Sequence, residues 1–280
     1  MSPLVIWPAA LGLTFFIAGL WSYRRSLGMF AAAAIFIAAP LATFAGEHFT
    51  AARNIARLVP KWLPLRLPIA YFVGAALLAA ALSFVSRRCM RWSAPLLALM
   101  FALFVLLMDL PAAIAHAGTR VYWIFPLRES EFAIGALSLA PNAPTRFARI
   151  ARAWTACVLI LFGIQNVLDP QFSPGVPDTR PTSPWVPAPL VVAYVVGALL
   201  IAFGIAALLA NLGRIAIASA GVFMTLLTIV LFVPDLFLAR GAEQEVSAIN
   251  FVADTLLFAG VLFAVACACG AQAADSRGNA

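Results

Sequence analysis

Apolar residues in this chain gather into runs of spanning length, separated by short clusters of arginine, proline and small polar residues. The runs fall near 4–22, 29–47, 67–86, 93–115, 124–141, 148–168, 188–209, 213–236 and 249–271. A helix rising 1.5 Å per residue needs roughly 20 mostly apolar residues to cross a hydrocarbon core about 30 Å thick. The pattern therefore predicts an all-α fold, a polytopic membrane helical bundle of about nine transmembrane helices. The fifth run is the weakest, because Arg128, Glu129 and Glu131 interrupt it. The first has no basic region ahead of it and leads into Tyr23-Arg24-Arg25 and another helix, so it reads as a retained span.

A repeated pattern supports the fifth run. Ala70-Tyr71-Phe72-Val73-Gly74-Ala75 returns as Ala193-Tyr194-Val195-Val196-Gly197-Ala198, 123 positions later, and Trp62/Trp185, Arg91/Arg214 and Pro111/Pro234 share that offset. Gly135/Gly260 and Glu129/Asp254 follow at an offset of 125. The expected organisation is an extra N-terminal helix (1–28) and two four-helix units (29–145 and 146–280, the second with a short C-terminal tail). Four crossings return a chain to its starting side, so the two units are expected to lie parallel.

Composition strengthens this picture. Of the 280 residues 64% are hydrophobic and only 10% charged, against roughly 25% charged in soluble domains. No stretch is long and polar enough for a separate soluble domain. The net charge of +7 is dispersed over segment ends, which is a topology signal and gives no reason to expect a nucleic-acid partner. Ten Lys and Arg fall on the side of the short tight loops and eight on the other. The positive-inside rule is strongest for short loops, so the expectation is a multi-pass protein of the cell inner membrane, N-terminus outside and C-terminus in the cytoplasm. The two long loops, 47–66 and 167–187, then face outward. Arg53 and Arg57 at i, i+4 in the first predict a short interfacial helix. The second is rich in proline and polar residues, has no helical pattern, and reads as a lid or a loop.

Ionisable residues within spanning helices are costly and are therefore the candidates for chemistry. Glu47 and His48 end the second helix, and Gln165 and Asn166 occupy the comparable end of the sixth. Asp109 and Asp235 lie beside the paired prolines, and Glu129 and Asp254 about seven residues into the fifth and ninth helices. Arg128 and Glu131, three apart, could simply pair with each other. Only two histidines exist, His48 and His116, and no zinc-type spacing accompanies them, so no metal site is assigned. Cys89, Cys157, Cys267 and Cys269 include no C-x-x-C and read as packing residues. Nucleotide-binding glycine motifs are absent from the sequence.

Gly46-Glu47-His48-Phe49, then Leu58-Val59-Pro60-Lys61-Trp62-Leu63-Pro64 and a glycine-bearing helix, resemble the DoxX-like family of integral membrane proteins over about 29–141. A degenerate copy with Ser183-Pro184-Trp185-Val186-Pro187 covers about 148–271 and has Gln165 and Asn166 where the histidine would stand. The resemblance implies a four-helix membrane unit. Some relatives are subunits of a thiosulfate:quinone oxidoreductase, and others belong to thiol and oxidative-stress systems.

Three functions fit these features. The first is a redox component that binds a quinone at the outer polar cluster and takes electrons from a partner protein or a small reductant. The others are a small-solute or proton-coupled transporter, and a structural or assembly subunit of a membrane complex.

Overall fold

The computed structural model describes residues 3–141, 144–209 and 211–278. It is an all-α bundle, and among the described residues eight helical stretches are long and apolar enough to cross a membrane. The order is α1 (Pro3–Tyr23), α2 (Met29–Thr50), the short α3 (Ala52–Ile55), α4 (Arg66–Ser86), α5 (Met90–Phe104), α6 (Leu110–Ala115) and α7 (Ile124–Ser138). There follow α8 (Thr145–Leu168), α9 (Pro189–Leu208), α10 (Gly213–Leu227), α11 (Val233–Leu238) and α12 (Ala242–Gly278). Large apolar side chains such as Trp7, Leu13, Leu96, Val191 and Ile229 point outward, as contact with lipid requires.

The elements after α3 recur at one spacing: α9, α10 and α11 each begin 123 positions after α4, α5 and α6. Between α5 and α6 the backbone opens into a π turn over Val105–Asp109, and between α10 and α11 into another over Thr228–Phe232, again 123 positions on. Proline supplies the reason. Pro111 and Pro234 cannot donate to the helical ladder and their rings crowd the carbonyl four residues back, so the preceding turn widens. The residues that precede α4 and α9, Leu65 and Ala188, both take a left-handed conformation, with φ of 55° and 47°.

Two expectations change. The fifth run folds as α7, but this helix has only 15 residues, about 22 Å, and a 3-10 turn at Arg120–Trp123 leads into it. It packs among α5, α8 and α12, which lets it carry charge that a lipid-facing helix could not. At the other end α12 begins at Ala242 and continues helical to Gly278, where a short tail was expected. Asp254 is therefore the thirteenth residue of its helix and Glu129 the sixth, so the shared depth of seven residues does not hold. Residues 279 and 280 of that tail lie outside the described residues.

The two long loops differ in kind. After α2 the chain forms α3, a single turn that includes Arg53 but ends before Arg57, and a mostly exposed turn to Arg66. The loop after α8 is a hairpin: Ser173 N–H donates to Arg180 O (2.9 Å), and Thr182 N–H to Gln171 O (3.2 Å). Its tip, Ser173 to Pro177, is fully buried, with Val176 in the core and Gly175 against Leu227 of α10. A loop inserted in this way must satisfy its own backbone groups, and its partners are described next.

Candidate functional site

Arg128 is the centre of a partly buried charge cluster. Its Nη1 donates to Asp254 Oδ2 of α12 at 3.3 Å and its Nη2 to Glu129 Oε1 at 3.2 Å, and these side chains are no more than 20% exposed. Phe125 lies under the guanidinium at 5.4 Å, and Nε has no hydrogen-bond partner. Asp109, the last residue of the first π turn, stands within electrostatic range of Arg128 and Glu129, and its Oδ2 is buried without a partner. Glu47, at the end of α2, is within range of Asp254, and its Oε1 is likewise unpartnered. Four of the residues picked out in the sequence, Glu47, Asp109, Glu129 and Asp254, thus share one site.

Two members come from the inserted hairpin, which the sequence leaves as a lid or a loop. Asp178 acts on Arg128 and Asp254, and Arg180 on Glu47 and Asp254. Arg180 is fixed by Ser247 Oγ at 2.7 Å, by Asp178 at 3.8 Å and by the ring of Phe251 at 5.4 Å. Five carboxylates, Glu47, Asp109, Glu129, Asp178 and Asp254, thus lie within electrostatic range of one or both of two guanidinium groups, Arg128 and Arg180. Uncompensated charge in a low-dielectric interior is costly, so a surplus of carboxylates there favours bound protons or a cation.

The other candidates serve different purposes. Asn166 clamps the hairpin tip: its Oδ1 accepts from Gly175 N–H at 3.0 Å, while its Nδ2 donates to Gly175 O at 3.1 Å and Phe162 O at 2.7 Å. Gln165 Nε2 donates to Asp169 at 2.6 Å, and Arg120 reaches the same carboxylate at 3.2 Å. Asp235 accepts from Ser183 Oγ at 2.7 Å and Trp185 Nε1 at 2.6 Å, latching the far end of the loop. His48 bonds the carbonyl of Phe44 at 2.8 Å, with its Cβ close beside Gly74 of α4. His116 is exposed and stacks on Tyr122.

Arg128 and Glu131 do not pair. Glu131 is fully buried and accepts from Thr155 of α8 at 2.6 Å, because residues three apart on α7 meet different neighbours here. Reading Arg128 as half of a local pair concealed its role, since its principal partner is 126 positions away.

Two cavities lie along the elements that carry these residues. One of about 1070 Å³ opens beneath the hairpin and is lined by Arg180, Ser183, Trp185, Asp235, Ser247 and Phe251 among others. The second, about 570 Å³, is an apolar cleft between the α5–α6 stretch, α7 and α8, with Arg120, Ser130, Trp154 and Gln165 as its polar members. No family model, curated protein or solved structure matches the chain.

Proposed function

We propose that this is a DoxX-like, internally duplicated protein of the cell inner membrane, N-terminus outside, that works as a proton-coupled carrier with the Arg128 cluster as its coupling site. The observation that carries this reading is the excess of carboxylates over guanidinium groups within the bundle. A site of that composition takes up and releases protons when its exposure or its arginine contacts change. Arg180 also lines a cavity of about 1070 Å³, which brings one member of the cluster to an open space.

The test is proton entry into liposomes that contain the purified protein and a trapped pH-sensitive dye, driven by a potassium diffusion potential. Wild type is expected to acidify the lumen faster than protein-free vesicles, and Glu129→Gln and Asp254→Asn to abolish the difference. Equal rates for wild type and empty vesicles would overturn the reading. Variants that lose thermal stability with unchanged proton entry would leave the cluster a structural or assembly feature.

A quinone-linked redox role is the second reading, favoured by the apolar cleft. Its walls suit an isoprenoid tail, and Trp154 Nε1, buried without a partner, is a donor that a ring carbonyl would accept from. The electrons would come from a partner protein. Stoichiometric quinone in an organic extract of the purified protein, lost on Trp154→Phe, would support it.

A further inference from the structure

Glu131 takes no part in the Arg128 cluster. It sits on α7 two positions beyond Glu129, which at 100° per residue turns it toward the opposite face of the helix. Its side chain is fully excluded from solvent. One oxygen accepts from Thr155 Oγ1 at 2.6 Å, and the other, Oε2, is buried with no partner. Around it α7 packs against α5 and the π turn that follows, α8 and α12. Among the described residues Thr155 is the one polar group acting on it from those elements, and no charged side chain does so.

Depth sharpens the point. Thr155 is the eleventh of the 24 residues of α8, so the pair lies near the middle of a spanning helix. An ionised carboxylate there, with a single hydroxyl as donor, would be among the most costly groups in the molecule. Binding one proton at Oε2 removes that charge and turns the unpartnered acceptor into a hydroxyl. Nothing else is consumed or released.

We propose that Glu131 and Thr155 form a mid-depth proton-binding site that joins α7 to α8, separate from the Arg128 cluster. Within the proton-coupled reading, on which its role in flux rests, it is the station through which a proton passes the centre of the membrane. Loss of the proton charges the α7–α8 contact and loosens it, so protonation and the fit between these helices are linked.

Infrared spectroscopy of the protein in liposomes at neutral pH tests the site without any assumption about transport. Wild type should show a carbonyl band of a protonated carboxylic acid that is absent from Glu131→Gln and displaced in Thr155→Val, which removes the hydrogen bond and keeps the shape. A Glu131→Gln spectrum identical to wild type, or a band unmoved in Thr155→Val, would overturn the proposal. Should Glu131→Gln fail to fold, the Thr155→Val spectrum decides alone. Proton entry separates the two readings: a band present without proton entry leaves the site and removes the carrier. Entry lost in Glu129→Gln but intact in Glu131→Gln leaves the carrier and removes the station.

Discussion

The stretches α4–α6 and α9–α11 share one spacing and place different residues at it. At the end of the first π turn stands Asp109, within electrostatic range of Arg128, and the position 123 further on is Phe232, stacked on Phe251 of α12 at 5.1 Å. At the offset of 125 that relates Glu129 to Asp254, Arg128 corresponds to Ala253. The first half therefore supplies Arg128 and three of the five acids, and the second Arg180, Asp178 and Asp254. The second also supplies the buried hairpin tip. Asn166 corresponds to His48, and both hydrogen-bond the carbonyl four residues back, but only Asn166 also holds a loop inside the protein. A side chain with a donor and an acceptor on one amide can satisfy both backbone groups of Gly175, whereas an imidazole cannot.

Arg128→Met should break this division most severely. It leaves Glu129 and Asp254, one from each half, without their shared cation, and breaking such a partly buried pair costs about 3–5 kcal/mol. Thermal unfolding in detergent should show a large drop, recovered in part by Arg128→Met combined with Glu129→Gln and Asp254→Asn. No recovery would mean that the acids are not the groups Arg128 neutralises.

Asn166→Ala comes next. It strands the N–H and C=O of Gly175 in a buried setting, at roughly 1–3 kcal/mol for each unsatisfied group. His48→Asn at the corresponding position should cost about 1 kcal/mol, since only a local bond to Phe44 is exchanged. Protease cleavage between 169 and 188 should accelerate in the first variant and stay unchanged in the second. Gly163→Ala is expected to cost about 1–3 kcal/mol, because its new Cβ would stand 2.5 Å from Gly197 O and 2.9 Å from Ile201 N, and backbone cannot step aside as a side chain can. The first half already has Ala45 there, fully buried, so α2 and α4 tolerate a methyl that α8 and α9 do not.

The spans were legible because bilayer thickness imposes a length and a polarity on every exposed helix, and the repeated spacing was legible because proline marks its position wherever it occurs. The intramembrane carboxylates were legible for the same energetic reason, and four of them converge. What escaped were contacts between segments distant in sequence. Arg128 looked like a partner for Glu131 because helical spacing reports only local neighbours. Asp178 and Arg180 sit in a proline-rich stretch with no periodicity, and nothing local announces that its tip is buried. The role of Asp235 also misled: it was matched with Asp109 through the neighbouring prolines, yet it follows its proline where Asp109 precedes, so the two point to different neighbours.

That mismatch gives the smallest and most specific test. Trp62 and Trp185 occupy corresponding positions, but the residue corresponding to Asp235 in the first half is Ala112, which has no acceptor to offer an indole. Trp62 is 66% exposed and Trp185 37%. Trp185→Phe removes the 2.6 Å donation to Asp235 and leaves Ser183 Oγ as its remaining donor from the loop, a loss of about 0.5–1.5 kcal/mol. Trp62→Phe removes no such bond and should leave stability and loop cleavage as they are. Adding Ser183→Ala to Trp185→Phe should unlatch the loop at this end while Asn166 still holds the tip, so cleavage is expected to rise near 183–187 and not near 173–177. Cleavage that rises equally at both places would mean that the hairpin opens as one unit and that Asp235, not Asn166, is what keeps it closed.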